Sequence, residues 1–169
     1  MRRAPASRKE GGDPGAGGIS SLTTILRSDP DPAARKAAAT ALGGTGGAAA
    51  IGALALALHD PVKEVRAAAA EALSVTGPPA VVALLRCLAD PDWVVRYRAA
   101  EALGSIRDRR VTAALIRALG DSRDHVRYMA AKGLGRQGDR SAIGPLTAAL
   151  SDENEFVRRA AKVALGALG

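Results

Sequence analysis

The chain reads Asp60-Pro-Val-Lys-Glu-Val-Arg66 and continues in an alanine-rich run that ends at Leu73. The same pattern of an aspartate, a later arginine, small residues and a leucine occurs five times. The repeated arginines are separated by 31, 30, 31 and 31 residues, and they are Arg35, Arg66, Arg96, Arg127 and Arg158. A fixed period of this length is typical of a solenoid, in which each unit buries its apolar face only against its neighbours.

The composition favours helices that pack through small side chains. Aromatic residues make up only 2% of the 169 residues, whereas hydrophobic residues make up 47%. Alanine and leucine are strong helix formers, and alanine lets helix axes approach closely. The sequence therefore predicts an all-α fold in one domain, an α-solenoid of about five two-helix units. The units are predicted at about residues 19–43, 48–74, 79–104, 110–135 and 141–168.

The two ends of the chain differ from the repeated units. Residues 1–18 are rich in glycine, proline and charge, and this composition predicts a disordered basic tail. In the last unit Lys162 takes a position that alanine holds in units two to four. A polar residue there is expected of an outer cap, so we expect the solenoid to be complete at this end.

Within each unit, the second helix is expected to begin at the repeated aspartate. In the second unit Asp60 suits the N-cap, and Pro61 suits the first helical position, where no N–H is needed. Val65, Ala69 and Leu73 then fall on one face at helical spacing. This face is predicted to be buried.

The phrase Asp-Pro-x-x-Val-Arg-x-x-Ala-Ala-x-Ala-Leu-Gly, at this period, resembles the short HEAT-like repeats of the phycobilisome-lyase type. The resemblance covers about residues 19–168. It implies a solenoid fold in which the second helix of each unit lines the concave surface. This repeat occurs in bilin lyase subunits, in binding scaffolds and in artificial repeat binders, so the resemblance does not decide the function.

The repeated arginines and aspartates are predicted to hold the units together. Most of the arginines follow an inward-facing valine, from where a guanidinium can bond an aspartate or helix-end carbonyls of an adjacent unit. The alternative is an anion-binding row, which we disfavour because fork-shaped donors suit buried pairing. The predicted arginine ladder comprises Arg35, Arg66, Arg96, Arg127 and Arg158 with Asp29, Asp60, Asp90, Asp121 and Asp152.

The sequence contains no recognisable catalytic or metal-binding motif. His59 and His125 are its only histidines, and neither has a cysteine or second histidine at ligand spacing. Deoxyhypusine hydroxylase, a HEAT-repeat enzyme, builds a di-iron site from repeated His-Glu pairs, and this chain has none. We therefore expect no cofactor, no metal and no enzymatic activity. The single cysteine, Cys87, is expected to be a small buried hydrophobe and favours a reducing, cytoplasmic location.

The four aromatic residues all fall on second helices of units three to five. Trp93, Tyr97 and Glu101 form a row at i, i+4 spacing, and Tyr128 is predicted to lie beside Tyr97. These rings either fill gaps between units or form a surface, and their combination with methionine and arginine is typical of an interaction surface. The predicted partner-binding residues are Trp93, Tyr97, Arg98, Glu101, His125, Tyr128, Met129, Lys132, Phe156 and Arg159.

Three functions remain open at this stage. The first is a non-catalytic scaffold or adaptor that binds a protein or peptide on its concave surface, since the charges there are mixed. The second is nucleic-acid binding, supported by a modest net charge of +7 and by arginines predicted in inter-unit loops. These are Arg107, Arg109, Arg110, Arg136 and Arg140. The third, implied by the resemblance alone, is a subunit of a bilin-lyase-like enzyme with a tetrapyrrole in the groove.

We expect a monomer without membrane contact. The longest apolar stretch, residues 48–58, is far shorter than the roughly 20 residues that a membrane-spanning helix needs. Asp108 and Asp139 interrupt the basic loops, so a protein or peptide partner is favoured over a nucleic acid.

Overall fold

A computed structural model describes residues 14–169 of the chain. These residues form ten α-helices and three short 3₁₀ turns. The helices are α1 (Pro14–Ser28), α2 (Pro32–Leu42), α3 (Ala48–Ala57), α4 (Lys63–Thr76), α5 (Val81–Cys87), α6 (Trp93–Leu103), α7 (Arg109–Ala118), α8 (Asp124–Gln137), α9 (Ile143–Ala148) and α10 (Glu155–Leu168). The 3₁₀ turns are Pro78–Ala80, Arg140–Ala142 and Ala149–Ser151. Each consecutive helix pair corresponds to one repeated stretch, and the predicted all-α solenoid is confirmed.

The first helix begins earlier than the composition predicts. Residues 14–18 belong to α1, so the prediction of a disordered tail is wrong for them. The physical reason is tertiary packing, because Ile19, Leu22 and Leu26 of α1 contact the core and stabilise a helix that its glycines disfavour. The rest of the predicted tail, residues 1–13, lies outside the described residues.

The second helices begin differently from the predicted arrangement. In unit two the carboxylate of Asp60 accepts a hydrogen bond from the backbone N–H of Val62 at 2.8 Å, and α4 begins only at Lys63. The prediction that Asp60 is the N-cap is therefore wrong, because its carboxylate closes a turn that precedes the helix. Helix caps are provided elsewhere by the side chains of Asp31 for α2, Asp92 for α6, Asp108 for α7 and Asn154 for α10.

The helices form two layers. The second helices α2, α4, α6, α8 and α10 stack in order, and the first helices form a layer behind them. Neighbouring second helices contact each other more extensively than neighbouring first helices do. The repeat type that the sequence resembles implies that the second-helix side lines the concave surface. We call it the inner face.

The core lies between the two layers and runs along the whole stack. Val65, Ala69 and Leu73 of α4 are fully buried, as their spacing predicts. Leucines fill the equivalent place in four successive first helices, and these are Leu54, Leu84, Leu115 and Leu146. Burial of a side chain of this size contributes roughly 1.5–3 kcal/mol, so the repeated core is the main source of stability.

Neighbouring second helices approach most closely where glycine lies at the end of the helix. A Cβ on Gly104, at the end of α6, would lie 2.8 Å from the Cα of Gly133 on α8. A Cβ on Gly135 of α8 would lie 2.9 Å from Ala164 of α10. The corresponding residue of α4 is Ser74, so the interface between α4 and α6 has room for a side chain. This interface is also the least extensive among neighbouring second helices.

No single helix within residues 14–169 is long and apolar enough to span a membrane. Only α4 taken together with Pro78–Cys87 meets that length and composition, and these two segments are bent by 117° relative to each other. The same part of the chain brings no three or more His, Cys, Asp or Glu side chains together as potential metal ligands. Cys87 is half-buried rather than buried, and burial, with a smaller effect of Asp90, raises the pKa of its thiol.

Candidate partner-binding face

Three arginines of the ladder join consecutive units, each by two parallel hydrogen bonds to one carboxylate. Arg96 donates from Nε to Oδ2 of Asp121 at 2.7 Å and from Nη2 to Oδ1 at 2.8 Å. The other pairs of this kind are Arg35 with Asp60 and Arg127 with Asp152. The carbonyls that these arginines bond belong to their own unit, not to the adjacent one as predicted. The paired side chains are 7% to 14% exposed, so water is largely excluded from each pair.

These pairs hold the aspartates in the charged form. The guanidinium of Arg127 lowers the pKa of Asp152, and a backbone N–H adds to this effect. Burial opposes ionisation of Asp60 and Asp121, but the arginine and a backbone N–H outweigh it and their pKa values are lowered. Guanidinium–carboxylate pairs of this geometry are strong and rigid, so these three arginines are engaged in the stack rather than open to an anion.

The ladder is interrupted between units two and three. Nη1 of Arg66 donates to the carbonyl of Asp60 at 2.7 Å, but its buried Nε finds no hydrogen-bond partner within residues 14–169. Asp90, the equivalent of Asp60 and Asp121 in the next unit, instead accepts a hydrogen bond from Nε2 of His59 at 2.9 Å. The prediction that each arginine of the ladder bonds an adjacent unit is therefore wrong for Arg66.

This interruption coincides with the connection at which the repeat is one residue short. Leu73 and Ala80 are seven residues apart, whereas the equivalent residues at the other connections are eight apart. We infer that the shorter connection shifts the following helix and Asp90 relative to α4, so that the carboxylate no longer pairs with Arg66. Among the residues that the structure describes, Arg158 of the fifth unit bonds only the backbone carbonyls of Asp152 and Glu153.

Trp93 lies at the inner face among polar neighbours. Its ring centroid is 5.3 Å from that of His125, which lies on the adjacent second helix. The guanidinium of Arg123 lies 5.8 Å from the Trp93 ring centroid, a contact that the sequence did not indicate because Arg123 precedes α8. His125 also bonds Asp124 through Nδ1 and lowers the pKa of that carboxyl. Trp93 and His125 are thus brought together and held by contacts within the protein.

Tyr97 and Tyr128 are half-buried rather than freely exposed. Both rings pack against the core, and burial raises the pKa of Tyr97. Arg98 lies 5.2 Å from the Tyr97 ring centroid and donates to Glu101 at 2.7 Å. These tyrosines therefore pack against the core and also line a depression of the inner face.

Met129 does not belong to the surface to which the sequence assigned it. Its side chain is only 4% exposed and is part of the core. Val126, Met129, Ala130 and Gly133 share the buried face of α8 at i, i+3, i+4, i+7 spacing. Consecutive residues on a helix point about 100° apart, so proximity to Tyr128 in sequence did not place Met129 on the same face.

A depression of the inner face lies between α8 and α10. It has a volume of about 500 Å³, and Phe156 and Val163 stand beside it with 64% and 75% exposure. We call it the terminal groove, and its lining residues are Tyr128, Lys132, Gly135, Arg136, Phe156, Arg159, Ala160, Val163, Ala164 and Ala167. It brings together four of the predicted partner-binding residues, which are Tyr128, Lys132, Phe156 and Arg159.

Sequence reasoning missed the larger part of this groove. Ala160, Val163 and Ala167 follow Phe156 at i+4, i+7 and i+11 along α10 and form an apolar row. This row is separate from the buried row of the same helix, which contains Val157, Ala161 and Ala164. Two apolar rows on one helix were the signal that could have identified the groove.

Two smaller depressions continue the terminal groove across the inner face. One, of about 280 Å³, shares Tyr128 and Phe156 with it and extends to Tyr97 of α6. The other, of about 310 Å³, shares Arg136 with it and lies between α4 and α6, where Glu101 is among its polar lining residues. Because they share residues, the three depressions form one surface that is apolar at α10 and polar at α4.

The arginines considered for nucleic-acid binding are not all in loops, contrary to the prediction. Arg109 and Arg110 form the first turn of α7, and Arg136 lies in the last turn of α8. Arg110 lies 2.6 Å from Asp108, and it lowers the pKa of that carboxyl to about 2. This neutralisation weakens the case for a continuous phosphate-binding stripe.

The fold is shared with several solved structures. One chain in the structure of the complex of CpcE and CpcF of phycocyanin lyase from Nostoc sp. PCC7120 is similar to this protein, with a TM-score of 0.66 and 28% identity. The similarity covers 99% of this chain and 69% of the matched chain. Human deoxyhypusine hydroxylase is similar with a TM-score of 0.54 and 21% identity, over 90% and 74% of the two chains. A designed armadillo repeat protein in complex with the peptide (KR)4 has a TM-score of 0.55 and 20% identity, over 92% and 83%. The last two similarities concern the fold alone.

Family membership follows from the sequence as well as from the fold. No curated protein sequence is significantly similar to this chain. The family model of HEAT repeats, however, matches it twice, over residues 19–104 and 83–166. This match confirms the HEAT-like repeats seen in the repeated phrase, and the phycocyanin lyase structure is similar to this chain as that phrase implies. The chain belongs to the HEAT-repeat family.

Proposed function

We propose that this chain is a non-catalytic repeat module that binds a segment of a partner protein on its inner face. The observation that carries the proposal is the terminal groove, whose volume of about 500 Å³ lies within the range of roughly 300–1,000 Å³ typical of ligand pockets. Exposed large apolar side chains beside such a depression, here Phe156 and Val163, mark interaction sites. Repeat solenoids present concave surfaces that suit extended partners.

The groove is held in shape by contacts beneath it. Arg127 and Asp152 tie its two units together, and Gly135 lets α8 and α10 approach closely. The contact between α8 and α10 is the most extensive between any two described helices. A surface that is already ordered loses less conformational freedom on binding, which favours affinity.

The similar structures support a protein partner by analogy of fold. The CpcE and CpcF structure is a complex of two protein chains, and the designed armadillo repeat protein holds a peptide. One fold can host many functions, so the groove of this chain supports a protein partner more directly than the partners of the similar structures do.

A pair of matched double variants tests the proposal. Phe156→Ser with Val163→Ser removes the exposed apolar side chains of the groove, and Leu56→Ser with Val82→Ser removes exposed apolar side chains of the first helices. None of these four residues is buried, so both variants should keep the free energy of unfolding within about 0.5 kcal/mol per substitution.

Partner capture from lysate of the source organism, measured by quantitative mass spectrometry, should then distinguish the two faces. We expect at least one captured protein to be lost with the groove variant and kept with the first-helix variant. Capture of the same proteins by both variants, or of nucleic acid alone, would contradict the proposed function.

A second candidate function is favoured by one observation, the 28% identity to the phycocyanin lyase chains over 99% of this chain. In this candidate the chain is one subunit of a bilin-lyase-like enzyme, and the inner face holds an open-chain tetrapyrrole. Titration with biliverdin should then shift the absorbance band of the pigment with the parent protein and not with the Phe156→Ser, Val163→Ser variant. An unshifted band with the parent protein would exclude this candidate.

A further inference from the structure

The charges of the terminal groove indicate the chemistry of its partner, an inference that rests on the proposed function. Three cations line the groove, Lys132 and Arg136 from α8 and Arg159 from α10, and no carboxylate is among its lining residues. All the other lining residues are alanine, valine, glycine or aromatic. The groove is therefore apolar between its walls and positively charged along both of them.

These cations have little compensation within residues 14–169. Lys132 is exposed and forms no ion pair in this part of the chain. Arg136 donates only to the hydroxyl of Ser105, at 3.2 Å. Arg159 lies 3.7 Å from Glu155, and because both side chains are largely exposed this pair contributes little. The positive charge is therefore open to a partner.

The positions of the cations match the length of a short segment. Tyr128, Lys132 and Arg136 lie one turn apart in succession on α8, a row of about 12 Å. On the facing wall Arg159 lies between Phe156 and Val163, which are about 10 Å apart along α10. A segment in the groove thus has apolar contacts along its centre and a cation within reach on either side.

We propose that the terminal groove binds a short acidic and apolar segment of a partner protein. Two or three large apolar side chains of the segment lie against Phe156, Val163 and Tyr128. Aspartates or glutamates that flank them pair with Lys132 and the two arginines. Complementary charge selects and orients such a partner, and a basic segment is repelled.

The acidic side chains of the neighbouring depressions lie outside the terminal groove. Arg98 and Glu101 neutralise each other at 2.7 Å on α6. Asp124 is hydrogen-bonded to Asn154 and His125 but keeps its charge, and Glu71 lines the depression at α4. Because no carboxylate lines the terminal groove, the positive charge is concentrated there.

Selection from a random dodecapeptide display library tests the inference. Peptides are selected on the parent protein and counter-selected on the Phe156→Ser, Val163→Ser variant, so that only binders of the groove are enriched. We expect the enriched peptides to carry a net negative charge and two or more large apolar residues.

Synthetic peptides from this selection then test the charges directly by fluorescence anisotropy. Lys132→Glu should lower the affinity for an enriched acidic peptide at least about fivefold at low salt. Added salt should reduce this difference in affinity between the variant and the parent protein. The same variant should bind a version of the peptide with lysine in place of each acidic residue more tightly than the parent does. Lys162→Glu, an exposed lysine of α10 outside the groove, is the matched control and should change affinity less than about twofold.

The outcomes separate this inference from the proposed function. Groove-dependent peptides without an acidic bias would overturn the inference and leave the proposed function in place. If no peptide depends on the groove, both are wrong. A dimer in sedimentation experiments that Phe156→Ser with Val163→Ser dissociates would assign the groove to a second copy of the chain, and an oligonucleotide that displaces the peptides would assign it to nucleic acid; either result overturns the inference.

Discussion

Two interfaces of the stack arise from the same repeat and are nevertheless held together differently. Between α6 and α8, Arg96 pairs with Asp121 at 2.7 Å and a glycine contact lets the helices approach closely. Between α4 and α6, Arg66 lacks its carboxylate, Ser74 replaces the glycine, and the contact is the least extensive. The difference indicates that the repeated arginines and aspartates pair only where the connection keeps them in register. Two parallel hydrogen bonds form only when both carboxylate oxygens lie within roughly 3 Å of the guanidinium nitrogens.

The paired and unpaired interfaces are expected to differ in local stability. Arg127 and Asp152 continue the paired interfaces under the terminal groove. The polar depression around Glu101 lies instead over the unpaired interface. We expect local opening to occur first between α4 and α6, since few buried contacts and absent pairs lower local stability.

The largest effect is expected from removal of a paired arginine. Arg96→Ala should lower the free energy of unfolding by roughly 2–4 kcal/mol, because it leaves the largely buried Asp121 without its partner. Arg66→Ala is the matched change at the unpaired interface and should cost less than about 1 kcal/mol, since it strands no carboxylate. Urea unfolding followed by circular dichroism measures both, and equal losses would contradict the comparison.

A smaller effect is expected from filling the glycine contact. Gly104→Ala should cost about 1–3 kcal/mol, because the new methyl group meets the backbone of Gly133 and the helices must separate. Gly52→Ala of α3 points into open space and should instead stabilise by up to about 1 kcal/mol through helix propensity. Thermal unfolding of the two variants measures the contrast, and a stabilised Gly104→Ala protein would show that α6 and α8 are not in close contact.

Acid should weaken the paired interfaces specifically. Because Arg127 lowers the pKa of Asp152 in the folded protein, the pair contributes stability that is complete above the unfolded value of about 3.9 and is lost as pH falls through the lower folded value. Asp152→Asn should be less stable than the parent at pH 7, by less than the Arg96→Ala loss because the amide oxygen still accepts a hydrogen bond. It should also lose less stability than the parent below about pH 4. Urea unfolding between pH 7 and pH 2 checks this, and parallel profiles would show that the pair does not titrate as described.

The smallest effect is expected from restoring the register. One glycine inserted after Gly77 lengthens the short connection to the usual eight residues and should bring Asp90 opposite Arg66. The gain should be at most about 1 kcal/mol, because the new pair is partly exposed and one added loop residue costs little. The sharper measurement is Arg66→Ala in both backgrounds, which should cost more with the insertion than without it. An equal cost in both would show that connection length is not the cause of the interruption.

Much of the fold and part of the site follow from the sequence. The arginine period and the apolar spacing of Val65, Ala69 and Leu73 predict the helices, their number and their buried faces, and the structure agrees. Tyr128 and Phe156 were assigned to one surface and do meet in the terminal groove. Residues 14–18 were misassigned because their helix depends on contacts with the core rather than on local propensity.

The positions of several site residues were not predicted correctly from the sequence. Met129 was assigned to the surface from its neighbours in sequence, but the phase of α8 turns it into the core. Tyr97 was assigned to a surface, but its ring is partly buried and packs against the core. Val163 is not among the predicted partner-binding residues, but it is 75% exposed and lines the groove, whose shape depends on how α10 lies against α8. The errors at Tyr97 and Val163 concern distances between helices, which periodicity does not report, whereas the position of Met129 follows from the helical spacing of Val126 and Ala130.

The sequence by itself determined that this protein is a stack of five helical pairs, because helix propensity, apolar spacing and the repeat period act within one or two neighbouring helices. Only the tertiary structure decided that Arg96 finds its carboxylate and Arg66 does not, and that the open groove lies between α8 and α10. The physical reason is that helix packing tolerates a small displacement of the chain, whereas a hydrogen bond does not. One residue more or less in a connection moves the chain by about 1.5–3.5 Å, which is small beside the width of a helix but larger than the range over which a hydrogen bond forms.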